Sequence, residues 1–113
     1  MTDLSQKHCV PCEGGTKPLP KKEEEAYLSA VPEWKIERTG THQLTREIVL
    51  GNFKQAIAFI GQIAKIAEAE GHHPNLYLHD YKKLRIELYT HAIGGLSTND
   101  FILAAKINKL PAH

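Results

Sequence analysis

From Asn52 to Glu70 the apolar residues return every three or four positions: Phe53, Ala56, Ile57, Ile60, Ile63, Ala64 and Ala67. That spacing predicts a helix of about five turns with one apolar side. Asn52 suits the N-cap, with Gln55 placed to answer it, and Gly71 suits the left-handed position that stops a helix. A helix this long and this one-sided must lie on something apolar. Immediately after it the period changes to two. Leu76 and Leu78 predict a short strand, and Leu84, Ile86 and Leu88 alternate with Arg85, Glu87 and Tyr89 as a second one. Asp80 to Lys83 would be the turn between them. The chain is therefore expected to lay a long helix across a sheet.

The remaining segments fit the same plan. Pro20 and Glu23-Glu24-Glu25 suit the start of a helix that carries Tyr27, Leu28 and Val31 and is ended by Pro32. Trp34 and Ile36 alternate with charged residues as a half-buried strand, and Leu44 and Ile48 predict another. Thr90 to Gly95 reads as a loop. Ser97-Thr98-Asn99-Asp100 is an N-cap signature for a last helix carrying Phe101, Ala104 and Ala105 to about Ile107. The order is helix, two strands, helix, two strands, helix. Strands joined by short turns are antiparallel. The expected fold is α+β: a four-stranded antiparallel sheet with three helices packed on one face.

At 113 residues, 42% of them hydrophobic, the chain can build one continuous core. Residues 1–20 read as an N-terminal arm with a Cys9-x-x-Cys12 motif, and residues 21–113 as the domain. Fourteen basic residues against thirteen acidic ones argue against a protein that lives by gripping nucleic acid or an anionic membrane. Lys82, Lys83 and Arg85 are expected to be a solvated strand edge. No apolar run is long enough to span a bilayer, and the polar N-terminus lacks a signal-peptide core, so the expected location is cytoplasmic.

The unusual component is seven histidines. His72 and His73 follow directly on a predicted helix C-terminus, whose partial negative charge favours imidazolium. Pro74 pushes His73 towards extended backbone, so the two rings are expected to point to opposite sides. His91 sits just past the end of a predicted strand, and Asp100 opens the last helix. Each of these could also be an ordinary capping or surface group, as His8, His42, His79 and His113 are expected to be. On spacing alone the description is a small histidine-bearing α+β domain. Two metal readings stay open on the residues: a partial zinc site at His8, Cys9 and Cys12, and a three-histidine zinc site at His72, His73 and His91.

Glu70-Gly71-His72-His73-Pro74-Asn75, Thr90-His91-Ala92-Ile93-Gly94-Gly95-Leu96-Ser97 and Asn99-Asp100 together resemble the signature of the pterin-4a-carbinolamine dehydratases. The resemblance runs from about Lys17 to about Leu110 and includes Trp34 and the Asn52-Phe53 helix start. It implies dehydration of a 4a-hydroxytetrahydropterin to the quinonoid dihydropterin, within tetrahydrobiopterin recycling, with no metal and no other cofactor. It implies a catalytic set of His72, His73 and His91. His72 and His91 would be the acid–base pair, and His73 would hold and orient the pterin. Asp100 would polarise a histidine or bind the pterin edge, and Glu68 would be a further pterin-binding residue. A homodimer or homotetramer is implied as well, with no nucleic-acid or membrane partner. The alternatives on the same fold are a non-enzymatic interaction module and a molybdopterin-related pterin-handling protein.

Overall fold

The computed structural model describes residues 4–9 and 17–111. Cys12 and His113 lie outside the described residues, and with them half of the Cys-x-x-Cys motif. Three α-helices, α1 (Lys21–Leu28), α2 (Phe53–Glu70) and α3 (Thr98–Asn108), pack on a sheet of four strands, β1 (Lys35–Glu37), β2 (Gln43–Val49), β3 (Asn75–His79) and β4 (Lys83–Leu88). The strand order is β1-β2-β4-β3, and every pairing is antiparallel. This is the α+β arrangement expected from the sequence. Among the described residues no helix is long and apolar enough to cross a membrane.

Register explains which side chains form the core. Leu44 pairs with Leu88, Ile48 with Leu84, and Leu76 and Leu78 with Ile86 and Leu84. The same face carries Ile36 opposite Leu44. Arg46 falls on this face too, which is why the alternation in β2 is broken in the sequence. Its guanidinium donates to Asn108 Oδ1 at 2.6 Å, and Trp34 Nε1 donates to the same oxygen at 2.8 Å. One asparagine at the end of α3 thus satisfies two donors at the helix–sheet boundary. Trp34, Phe59, Phe101, Ile63 and Leu103 fill the layer between. Each such side chain contributes roughly 1.5–3 kcal/mol on burial. Tyr27 of α1 stacks on Phe101 of α3 with centroids 5.3 Å apart.

Several local expectations are corrected. α1 ends at Leu28, so the fully buried Val31 lies beyond it in the turn that leads to Trp34. The buried side of α2 is Ala56, Phe59, Ile63 and Ala67, whereas Phe53, Ile57 and Ala64 are exposed. The helix has more apolar residues than one stripe can hold, and packing against the sheet chooses the 56-59-63-67 line. Lys83 belongs to β4, and Arg85 lies on a central strand rather than an edge. It faces away from the helices and is paired to Glu37 and Glu87, each at 2.9 Å. Leu4–Gln6 form one 3-10 turn, and Leu4 is buried in the core.

The topology brings three chain segments to one end of the sheet. Because β3 and β4 are antiparallel, with Asn75 opposite Glu87, the residues just before β3 lie beside those just after β4. The first turn of α3 arrives at the same place through the short 91–97 connection.

Candidate active site

α2 stops where the sequence says it should. Asn52 Oδ1 accepts the Gln55 N–H at 2.8 Å at its start, and Gly71 takes the left-handed conformation (φ 65°) at its end. The Gly71 turn is completed by the His72 N–H donating to Ala67 O at 3.2 Å. The chain leaves extended through His72, His73 and Pro74 into β3. From the other side, β4 delivers Tyr89, Thr90 and His91. A bridge between Thr90 and Gly95 closes a one-turn 3-10 helix, His91–Ile93, where the sequence suggested only a loop.

The centre of this end is Asp100, which is 0% exposed. It is the third residue of α3 and closes a capping box with Ser97. Asp100 Oδ2 accepts the Ser97 N–H at 2.9 Å and the Thr90 hydroxyl at 2.9 Å. The Ser97 and Thr90 hydroxyls are themselves 2.8 Å apart. The other oxygen, Oδ1, lies 2.6 Å from His72 Nε2. An ionised carboxylate only accepts, so Nε2 is the donor in that contact and Nδ1 is the ring nitrogen not engaged by Asp100. His72 is 12% exposed, so the imidazole is anchored deep while one edge still reaches the surface.

His73 is well exposed and pairs through Nε2 with Glu68 Oε2, one turn back on α2. His91 is exposed, and its ring lies against Tyr89 with centroids 4.3 Å apart and planes at 50°. His72, His73 and His91 all border one cleft of about 690 Å³, together with Glu68, Glu70, Tyr89, Asn99 and Cys9. The two rings were expected to point to opposite sides; one is seated on a buried carboxylate and the other lies at the rim, and both border the same cleft. Of the five residues that the family resemblance assigned to the site, His72, His73, His91 and Glu68 border the cleft, and Asp100 sits behind His72. His42 and His79 lie elsewhere, on Glu24 and Asp80. Among the described residues no group of three or more His, Cys, Asp or Glu side chains is arranged to hold a metal ion.

The sequence reading missed Glu70, Tyr89 and the presence of Cys9 at this site. Glu70 carried a signal: a carboxylate in the last turn of a helix opposes the helix dipole and needs another reason to be there. That reason is the arm. Glu70 Oε1 accepts the Cys9 N–H at 2.7 Å, and Oε2 lies 2.9 Å from His8 Nδ1. Burial pushes the Glu70 carboxyl up, but the Cys9 amide, His8 and nearby Lys106 outweigh it and hold the group below the usual carboxylate range. The Cys9 thiol is pushed up to about 12, first by burial and then by the negative charges of Glu70 and Asp100. A thiol so placed stays protonated at neutral pH.

With the site described, its relatives can be set beside it. Residues 17–110 match the family described as Pterin 4 alpha carbinolamine dehydratase. The chain belongs to this family. A relative in Chlorobaculum tepidum, provisionally named as such a dehydratase, is 44% identical over 97% of this chain and 99% of its own. A similarly named protein of Rickettsia canadensis is 47% identical over 95% of this chain and 96% of its own. A mitochondrial pterin-4-alpha-carbinolamine dehydratase of Arabidopsis thaliana is 42% identical over 97% of this chain, which spans 60% of that longer protein. Among solved structures, one from Brucella melitensis described as a transcriptional coactivator/pterin dehydratase superposes with a TM-score of 0.75 at 28% identity. It covers 81% of this chain and 96% of its own. A pterin dehydratase-like RuBisCO assembly factor of the α-carboxysome shares the fold, with a TM-score of 0.57 at 22% identity, over 67% of this chain and 86% of its own.

Proposed function

We propose that the protein is a hydro-lyase that removes water from a 4a-hydroxytetrahydropterin by histidine acid–base catalysis, giving the quinonoid dihydropterin used in tetrahydrobiopterin recycling. The observation that carries this reading is the convergence of His72, His73 and His91 on one cleft, with His72 seated on the buried Asp100. The reaction asks for two proton movements. The departing 4a-hydroxyl must receive a proton, and ring nitrogen N5 must lose one as its lone pair expels the hydroxyl. Imidazoles change charge near neutrality and suit both.

The carboxylate behind His72 stabilises the ring when it gains a proton, so His72 is read as the base that takes the N5 proton. His91 is then the acid at the leaving hydroxyl. His73, at the rim with Glu68, holds and orients the pterin. Both oxygens of Asp100 are engaged by protein donors, so it is read as the residue that positions His72 rather than one that touches the pterin. Water completes the balance: one proton in at the hydroxyl, one out at N5, and no net redox change.

Self-association fits the same reading. Phe53 and Ile57 lie one turn apart on α2 and are 53% and 48% exposed. Such a row is costly to leave in water, and a homo-oligomer would cover it. Sedimentation of the wild type and of Ile57→Glu tests this, with a smaller species expected for the variant.

The decisive assay uses purified protein and freshly generated 4a-hydroxytetrahydropterin. Acceleration over the spontaneous dehydration is expected. An unchanged rate would overturn the reading and favour the interaction-module alternative.

A further inference from the structure

Residues 4–9 cross from the core to the cleft, and each end of that short segment is held by something built for it. Leu4 is buried among the core side chains. Lys106 of α3 donates from Nζ to Ser5 O at 3.0 Å. Glu70 of α2 accepts the Cys9 N–H at 2.7 Å. A cation thus holds an arm carbonyl and an anion holds an arm amide, and the two charges stand 3.8 Å from one another. The Glu70 side chain is only 8% exposed, at a helix end where its charge is the wrong sign for the dipole. The Cys9 thiol completes the arrangement by donating to Asn99 O at 3.6 Å, at the first turn of α3. Cys9, Glu70 and Asn99 all border the cleft that holds the three histidines.

We propose that the segment of residues 4–9 is a wall of the substrate cleft, that the side chain at position 9 limits which flat heterocycles fit against the histidines, and that Glu70 is the positioning residue that fixes that wall. The inference rests on the dehydratase reading for the identity of the ligand, but not for the clamp. A small, neutral thiol leaves width at that edge. A bulky ring there would take the width away. Because the Cys9 amide is tied to a buried carboxylate, the wall cannot simply swing aside.

Three variants of the full chain test this: Cys9→Phe, Glu70→Ala and Glu70→Gln. In Cys9→Phe the KM for 4a-hydroxytetrahydropterin is expected to rise about tenfold while kcat stays within about threefold, the pattern of lost uniform binding. A merely destabilising change would lower the active fraction, and so kcat, instead. In Glu70→Ala the KM is expected to rise and the Cys9 amide to exchange with solvent about tenfold faster than in the wild type. Glu70→Gln keeps an oxygen acceptor and should restore most of both losses. Unchanged KM in Cys9→Phe and Glu70→Ala, in an active wild type, would overturn the proposal, as would a Cys9 amide that exchanges equally fast in wild type and Glu70→Ala. If Glu70→Ala does not fold, Cys9→Phe decides alone. A wild type without turnover would refute the dehydratase reading; the wall is then judged by titration with a dihydropterin. Weaker binding in Cys9→Phe supports it, and equal or absent binding rejects it.

Discussion

Among the described residues two carboxylates, Asp100 and Glu24, are completely buried, and each holds a histidine. Asp100 meets His72 at 2.6 Å, and Glu24 meets His42 at 2.8 Å. By the local chemistry they are twins. Their surroundings separate them. Glu24 shares its charge with Arg38 at 3.3 Å and ties α1 to the β1–β2 hairpin, and neither Glu24 nor His42 borders the cleft of the three histidines. Asp100 is satisfied by Thr90 and Ser97 from behind, and its histidine opens onto a cleft that two further histidines border. A buried His–carboxylate pair is thus a structural device by default. It becomes a candidate for catalysis when one edge of the ring faces space that a ligand can enter.

The contrast can be broken by substitution. The largest expected effect is at the imidazoles in the cleft: His72→Ala or His91→Ala should each lower dehydratase turnover roughly 10²-fold or more, the scale of a positioned acid or base. Near-normal rates in both, with the fold intact by circular dichroism, would remove the distinction between the two pairs. Next comes Asp100→Asn. It keeps the shape but loses the charge that holds the His72 ring, and turnover should fall about tenfold or more. Turnover within about twofold of the wild type would mean that Asp100 only caps α3.

Glu24→Gln should do the reverse. Thermal or denaturant unfolding should show a loss of about 1–3 kcal/mol, the cost of weakening a buried charged network, while turnover per folded molecule stays within about twofold. A loss of turnover as large as that of Asp100→Asn would show that the α1 pair also serves the chemistry. The smallest effect is local to the arm. The Cys9 pKa is raised to about 12, so its thiolate is scarce at pH 8 and grows only as pH rises far above it. Alkylation mapped by mass spectrometry should leave Cys9 largely unmodified at pH 8 in the folded protein and modify it readily after denaturation. Rapid modification of the folded protein would show that the thiol is neither buried nor held beside Glu70.

Much of the fold was legible because hydrophobic period and end signals agreed. The 52–70 helix, its Asn52 and Gly71 boundaries, the two hairpins and the Ser97 start of α3 all follow from local rules. So does the placing of His72, His73 and His91 at element ends. Three things were not legible in the same way. The buried line of α2 was ambiguous because Phe53 and Ile57 are as apolar as Phe59 and Ile63. Arg46 looked like a break in a strand because its partner, Asn108, is distant in sequence. Cys9 looked like part of a separate arm because its contacts to Glu70 and Asn99 span 61 and 90 residues.

The sequence alone determined the element order, the antiparallel hairpins and the residue types able to move protons, since period, caps and turn residues act over a few positions. Only the tertiary structure decided which carboxylate backs which histidine, which face of α2 is inside, and that Cys9 borders the cleft. Those outcomes depend on contacts between groups that no local rule connects, and on which buried charge is left facing an open space.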